Sequence, residues 1–217
     1  MMTPPRDTPL TDRLRRFTPT ETWVHRAVAW LLGVCVLTGA FLYFPPLAEI
    51  VGRRRTVVTL HEYSGIAVPV PVVLGLISRA FRRDLGRLGR FFPHDWRWLG
   101  TALRRRRREP SLAGKFNAGQ KLYAAFAVGA LLIMAGTGIL MWFPQLSPLV
   151  WRTGSTFVHD WLALAFGAVI TGHVWFAAID PEARRGLRTG YVPRWWAREE
   201  HPLWRPEAPQ DPPAEGP

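Results

Sequence analysis

Long apolar segments alternate with arginine-rich segments along this chain of 217 residues. Four of the apolar segments are each close to the ~20 residues that a helix needs to cross the hydrocarbon core of a bilayer. A helix satisfies its own backbone hydrogen bonds in lipid, so helices are favoured over strands. The pattern therefore predicts an all-α integral membrane four-helix bundle, with spans at about residues 23–44, 57–78, 120–143 and 157–178.

The polar segments between the spans predict the domain organisation. Residues 1–20 are polar and charged, which is typical of a segment outside the membrane, and residues 79–119 form the longest loop. The membrane domain then covers residues 21–204. Residues 205–217 are rich in proline and acidic residues, a composition that favours a disordered tail. No cleavable signal peptide is expected, because the first apolar segment is too long for its h-region.

The formal charge of +12 is distributed unevenly between the two sides of the membrane. Four spans place both termini and the loop 79–119 on the same side. The other side holds only four basic residues, which are Arg53, Arg54, Arg55 and Arg152. By the positive-inside rule the basic side is the cytoplasm, so both termini are expected to be cytoplasmic. The sequence thus predicts a multi-pass protein of the bacterial inner (cytoplasmic) membrane.

The arginine run at residues 104–108 is interpreted in the same way. Next to a span, such a run anchors the topology and contacts anionic membrane lipid. No recognised nucleic-acid-binding motif accompanies the charge, so we expect no nucleic-acid partner.

Four histidines lie in or beside the spans, and they pair by depth. His159 and His173 are fourteen residues apart on one predicted helix. Fourteen residues advance about 1400°, some 40° short of four turns, and rise about 21 Å, so both side chains leave nearly the same face. Antiparallel threading places His61 at the depth of His159 and His25 at the depth of His173.

These two matched pairs favour iron as the bound metal. Ionisable side chains inside membrane spans are costly and usually functional, and imidazole is a good ligand for iron. Zinc is less favoured, because two ligands per depth fall short of the usual three or four. Cys35 is the only cysteine, which excludes the C-x-x-C-H attachment of c-type haem. The sequence predicts two non-covalently held haem b groups with bis-histidine ligation, which carry electrons because no axial position is open.

The stretch GKFNAGQKL, residues 114–122, is a candidate ligand site on the basic side. Asn117 and Gln120 offer amide donors and acceptors, and Gly119 allows a ligand to approach the backbone. A quinone head group has two carbonyls that need donors. The alternative is a plain helix start, with Asn117 as its N-cap and two lysines, Lys115 and Lys121, as membrane anchors. The residues alone leave both interpretations open.

Three stretches carry a resemblance to a known family. GKFNAGQK, the H-x13-H spacing of His159 and His173, and residues 186–204 resemble the gamma (cytochrome b) subunit of respiratory formate dehydrogenases, within the wider family of bacterial di-haem cytochromes b. The resemblance extends from about Phe17 to Trp204.

The resemblance implies roles for the candidate residues. His25 and His173, on the first and fourth helices, would ligate a cytoplasmic haem, and His61 and His159 a periplasmic one. Quinone, either menaquinone or ubiquinone, would bind near the cytoplasmic haem through Asn117, Gly119, Gln120 and His173. Two further histidines, His94 and His201, are expected to be surface residues.

The resemblance also implies partners. An iron–sulfur (beta) subunit would supply electrons from the periplasmic side, and a molybdenum- or tungsten-containing catalytic (alpha) subunit would oxidise formate. This chain would reduce quinone but take no part in formate oxidation itself. The alternatives are the cytochrome b subunit of a nickel–iron hydrogenase or a thiosulfate reductase, or a haem-free membrane anchor.

Overall fold

The computed structural model describes residues 12–103 and 112–206. Within these ranges the chain forms helices and two short strands, numbered here in chain order. They are β1 (Arg13–Arg15), α1 (Pro19–Tyr43), α2 (Pro45–Val51), α3 (Arg54–Ala67), α4 (Pro69–Gly75), α5 (Arg79–Leu88), α6 (Pro93–Leu103), α7 (Ala118–Trp142), α8 (Leu149–Ile179), α9 (Pro181–Thr189), β2 (Tyr191–Pro193) and α10 (Arg194–Glu200). The arginine run 104–108 and nearly all of the predicted tail lie outside the described residues.

Four helical segments are long and apolar enough to cross a membrane: α1, the pair α3–α4 taken together, α7 and α8. The predicted all-α membrane bundle is therefore confirmed. The only strands in the described residues are β1 and β2, which form a small antiparallel sheet. Large apolar side chains point outward from the bundle; Trp30, for example, is 77% exposed and Leu132 is 70% exposed. Lipid tails are as apolar as these side chains, so the membrane covers them.

Local chemistry sets where the crossing helices begin and break. The second crossing breaks between α3 and α4 because Pro69 and Pro71 lack the N–H that a helix needs. Val68 keeps right-handed helical dihedrals (φ −52°, ψ −44°), so the chain continues across the membrane. α8 has 31 residues and begins well before residue 157. Its first turns carry the polar residues Arg152 and Thr153, which interrupt the apolar pattern, so hydropathy predicts a later start for this helix.

The helices pack as two antiparallel pairs. α1 packs along α3 and α4, α7 packs along α8, and α3 also contacts α7. Among the described residues, α8 runs close to α7 and α9 but not along α1 or α3. The four predicted histidine ligands lie on three of these helices, one on α1, one on α3 and two on α8.

The two ends of the bundle differ. One end of the bundle, called here the cap end, is where α1 begins and α8 ends, and β1, β2, α5, α6, α9 and α10 lie there. α2 and a 3-10 turn, Pro144–Leu146, lie at the opposite end, called here the loop end. At the cap end, β1 pairs with β2, and α10 packs on this sheet through a small apolar core formed by Leu14, Val192, Trp196, Ala197 and Trp204.

His201 lies inside this cap, so the expectation that it is a surface residue is wrong. It is only 3% exposed. Its Nδ1–H donates to the carbonyl of Gly114 at 2.6 Å, and its Nε2 accepts from the Arg16 guanidinium at 3.2 Å. The same guanidinium donates to the carbonyl of Lys115 at 2.9 Å. These bonds join segments near residues 16, 114 and 201, contacts that no local pattern in the sequence reveals.

We expect Gly190→Ala to destabilise the cap. Gly190 has a left-handed φ of 86°, and a Cβ there would lie 2.7 Å from the carbonyl oxygen of Phe17. The left-handed conformation alone costs about 1–2 kcal/mol for a residue with a Cβ, and the clash adds to that. The measurement is the thermal unfolding midpoint of the detergent-purified protein. Gly86→Ala is the control, because its Cβ meets open space in α5 and alanine favours a helix by about 0.5–1 kcal/mol. Equal midpoints for the two variants would contradict the prediction.

The cap is also expected to lose stability in acid. Burial, and then the Arg16 charge, lower the pKa of His201 from 6.5 to about 3. Below pH 6.5 His201 is protonated in the unfolded chain but stays neutral in the folded cap. The free energy of unfolding is therefore at its full value above pH 6.5 and decreases as the pH falls toward 3. At pH 5 the loss is about 2 kcal/mol. Unfolding midpoints at pH 7 and pH 5 measure it.

His201→Gln should remove this part of the pH dependence. His94→Gln serves as the control, because the side chain of His94 is 31% exposed. A pH dependence unchanged in His201→Gln would show that another group is responsible.

Candidate functional site

Each of the two histidine rings on α8 lies close to a histidine ring of α1 or α3. The ring centres of His25 and His173 are 6.3 Å apart, with an angle of 40° between the ring planes. Those of His61 and His159 are 6.2 Å apart, with an angle of 68°. The structure thus brings together the same pairs that depth matching predicts, the first toward the cap end and the second toward the loop end.

Both separations suit a single metal atom between two imidazoles. An imidazole nitrogen binds a transition metal at about 2.0 Å and lies about 1.1 Å from its ring centre, so opposed ligands have ring centres about 6.2 Å apart. Among the described residues, no group of three or more His, Cys, Asp or Glu side chains could hold a metal ion. Each pair therefore offers two ligands only. Haem iron needs no more from a protein, because the porphyrin supplies the other four.

Threonines from the preceding helices hold the two loop-end histidines. The hydroxyl of Thr38 lies 2.9 Å from Nδ1 of His61, and that of Thr137 lies 2.9 Å from Nδ1 of His159. Each hydroxyl also donates to a carbonyl of its own helix. A hydroxyl has one proton, so it accepts from Nδ1–H of the imidazole and leaves Nε2 with a free lone pair. Sequence reasoning missed both threonines, although each stands in a repeated Thr-Gly pair.

The cap-end pair has a different neighbour. The ring of Tyr123 stacks on His173, with ring centres 4.2 Å apart and planes inclined by 10°. Tyr123 lies on α7, one turn beyond Gly119, so the start of α7 lies beside the cap-end pair. Sequence reasoning missed this tyrosine, because nothing local distinguishes it from an interfacial aromatic.

The start of α7 is a capping box. The side-chain oxygen of Asn117 accepts from the backbone N–H of Gln120 at 2.9 Å, and the side-chain oxygen of Gln120 accepts from the N–H of Asn117 at 3.0 Å. The capping interpretation is therefore correct. It uses only the oxygens, and no hydrogen bond among the described residues engages the two amide NH2 groups. Those donors are what a quinone carbonyl requires, so capping and ligand binding are compatible.

Gly119 has a packing role as well. A Cβ at this position would lie 3.3 Å from the ring of Trp98 and 3.3 Å from Oδ1 of Asn117. Glycine thus lets α6 lie close against the first turn of α7 and leaves the cap undisturbed.

Two lysines of the same stretch are buried in ion pairs, so their interpretation as membrane anchors is wrong. Lys115 binds Asp84 and lies 3.8 Å from Glu21, and Lys121 binds Asp95 at 2.7 Å. Burial alone would raise the pKa of Asp84, but hydrogen bonds and nearby positive charge lower it below its ordinary value, so it remains an anion. The Lys115 pairs fix the segment before α7 against α1 and α5, and the Lys121 pair fixes the first turn of α7 against α6.

Comparison with known proteins identifies the family. Residues 16–189 match the family described as prokaryotic cytochrome b561. The cytochrome b556(Fdn) subunit of the nitrate-inducible formate dehydrogenase of Escherichia coli (strain K12) is 25% identical over 201 residues, which cover 84% of this chain and 87% of that protein. The formate dehydrogenase cytochrome b556(fdo) subunit of the same strain is 23% identical, covering 89% and 92%. The formate dehydrogenase cytochrome b556 subunit of Haemophilus influenzae is 26% identical, covering 83% and 80%. The chain belongs to the prokaryotic cytochrome b561 family.

Proposed function

We propose that this chain is the membrane-anchoring di-haem cytochrome b subunit of a respiratory formate dehydrogenase and passes electrons across the membrane to quinone. Its family implies haem b. The observation that carries the number of haems is the presence of two histidine pairs, each with the ring separation that one iron requires. The relatives named as formate dehydrogenase cytochrome b556 subunits support the choice of complex over a hydrogenase or a thiosulfate reductase.

The residues would work as follows. His61 and His159 hold one haem near the loop end, and His25 and His173 hold the other near the cap end. When bound, each haem supplies reversible one-electron transfer. With two histidines as ligands, each haem would have no coordination site left for oxygen or substrate and would serve electron transfer. α8 contributes one ligand to each pair and so fixes the spacing between the two haems.

The cap end would carry the quinone site. The free NH2 groups of Asn117 and Gln120 donate to a quinone carbonyl, and Gly119 keeps the helix start accessible. His173 and the stacked Tyr123 border the site on the haem side. Menaquinone and ubiquinone share the carbonyl chemistry that these donors recognise.

The relatives named as formate dehydrogenase subunits support the choice of partners, and the charge of the chain supports its orientation. The positive-inside rule places the cap end in the cytoplasm and the loop end in the periplasm. An iron–sulfur (beta) subunit then docks at the loop end, and a molybdenum- or tungsten-containing catalytic (alpha) subunit oxidises formate beyond it. Quinone reduction at the cap end takes its protons from the cytoplasm, which contributes to the proton-motive force.

The haem assignment predicts a pairing among alanine variants. We expect two haems per chain in the purified complex, measured as the pyridine haemochrome. His61→Ala and His159→Ala should each lose one haem, and the double variant should lose no more. His61→Ala combined with His173→Ala should lose both. His94→Ala is the control and should keep both.

Activity measurements on the same variants test the proposed path of the electrons. His173→Ala should abolish quinone reduction while formate oxidation with an artificial dye continues, because the dye takes electrons before they reach this chain. A complex without haem α-bands, or a cross-pair double variant that loses only one haem, would refute the proposal.

The two roles of Asn117, capping α7 and binding quinone, can be tested separately by a substitution that keeps the cap. Asn117→Ser retains an oxygen that caps α7 about as well as asparagine but removes the NH2 donor. Losing one hydrogen bond of about 0.5–1.5 kcal/mol should raise the KM for quinone roughly 2–10-fold while both haems remain. The measurement is formate-to-quinone activity beside the haem count. An unchanged KM for quinone would exclude Asn117 from the site.

A further inference from the structure

The helices that precede the two loop-end histidines share a sequence pattern. Residues 38–45 of the first half read TGAFLYFP, and residues 137–144 of the second half read TGILMWFP. Both contain Thr-Gly, three apolar residues, an aromatic residue and Phe-Pro. His61 follows Thr38 by 23 residues, and His159 follows Thr137 by 22. The helix pairs α1–α3 and α7–α8 are thus equivalent around these two histidines.

The side chains repeat as closely as the sequence. Both threonine hydroxyls lie 2.9 Å from an imidazole Nδ1. Thr38 donates to the carbonyl of Val34 at 2.6 Å, and Thr137 donates to that of Ile133 at 2.8 Å. These backbone bonds keep each hydroxyl from rotating away from its histidine.

The glycine after each threonine belongs to the same arrangement. A Cβ on Gly39 would lie 3.5 Å from Cε1 of His61, and a Cβ on Gly138 would lie 3.5 Å from Cε1 of His159. Each ring therefore rests closely against the glycine of the helix that holds it. Packing alone does not explain two contacts with the same atoms at the same distances in separate helix pairs.

The hydroxyls contribute little to the helices themselves. A threonine that bonds back to its own helix slightly destabilises and bends it, and valine has the same shape without the polar group. The hydroxyls are thus best explained by the imidazoles they face. Partners of this kind fix the orientation of a metal-bound imidazole and raise its basicity. A more basic ligand favours ferric over ferrous iron.

We propose that Thr38 and Thr137 are positioning residues that aim the imidazoles of His61 and His159 at one iron and lower the reduction potential of the loop-end haem. This proposal rests on the proposed di-haem function. A lower potential at the loop-end haem shifts the equilibrium of electron transfer toward the cap-end haem, which is the direction that quinone reduction needs. The repeated Thr-Gly pair thereby favours electron transfer from the loop end to the cap end.

The test is a redox titration of the purified complex, followed at the haem α-bands and by low-temperature EPR of the ferric haems. Thr38→Val and Thr137→Val should each raise the midpoint potential of one haem only. A tenfold change in the ferric-to-ferrous preference corresponds to about 59 mV for a one-electron couple. The EPR signal of the same haem should change, because its imidazoles are freer to turn. The double variant should shift further than either single variant.

Two further variants serve as controls. Thr38→Ser keeps a hydroxyl and should restore the wild-type potential. Thr171→Val removes a hydroxyl on α8 that, within the described part of the chain, bonds to the carbonyl of Gly167 at 2.9 Å on its own helix, and this variant should leave both potentials unchanged. If Thr38→Val sheds the loop-end haem but Thr38→Ser keeps it at the wild-type potential, the positioning role stands.

Two outcomes would overturn the proposal. One is a pair of unchanged potentials and EPR signals in the double variant with both haems bound. The other is an equal shift of both haems. A wild-type complex without haem would instead refute the proposed function, so the two failures are distinguishable.

Discussion

The close approach of imidazoles on α8 to imidazoles on α1 and α3 is the constraint on which the rest of the bundle depends. At two depths, histidine ring centres lie 6.3 Å and 6.2 Å apart between helices that pack less closely elsewhere in the described residues. α8 is one continuous helix that carries both of its rings on nearly the same face, because His159 and His173 are fourteen residues apart. α1 and α3 supply the opposite rings, and their mutual packing keeps the two depths in register.

Polar groups within a membrane bundle need partners, and the two ends of this bundle provide them differently. Toward the loop end, each histidine is held by a hydroxyl that is itself bonded to the backbone. At the cap end, buried ion pairs such as Lys121–Asp95 join α7 to the short helices above the membrane. A buried pair is costly to break, because removing one partner leaves an unpaired charge. The cap-end contacts therefore hold the start of α7 in place.

The C-terminal segment takes part in this positioning. The backbone N–H of Leu203 donates to the carbonyl of Ala113, His201 donates to that of Gly114, and Arg16 donates to that of Lys115. Three successive carbonyls before Asn117 are thus bound by the two terminal segments of the chain. The order of the candidate quinone site depends on residues that are distant from it in the sequence.

Much of this architecture was predictable from the sequence. Hydropathy identified four crossings, because a helix in lipid must be apolar over the full membrane thickness. Residue spacing and antiparallel threading matched His25 with His173 and His61 with His159, because both depend only on the rise and rotation of a helix. The Asn117 cap was recognisable because an N-cap is a local structure.

The remaining features required the tertiary structure. Hydropathy records depth and face but not which side chains meet across a helix boundary. The bonds of Thr38 and Thr137, the stacking of Tyr123 and the burial of His201 are all such contacts. Charged residues in loops are usually solvated, so the sequence suggested a surface His201 and an anchoring Lys115. Only the folded chain brings Arg16 to His201 and Asp84 to Lys115, because these contacts join segments that are far apart in the sequence.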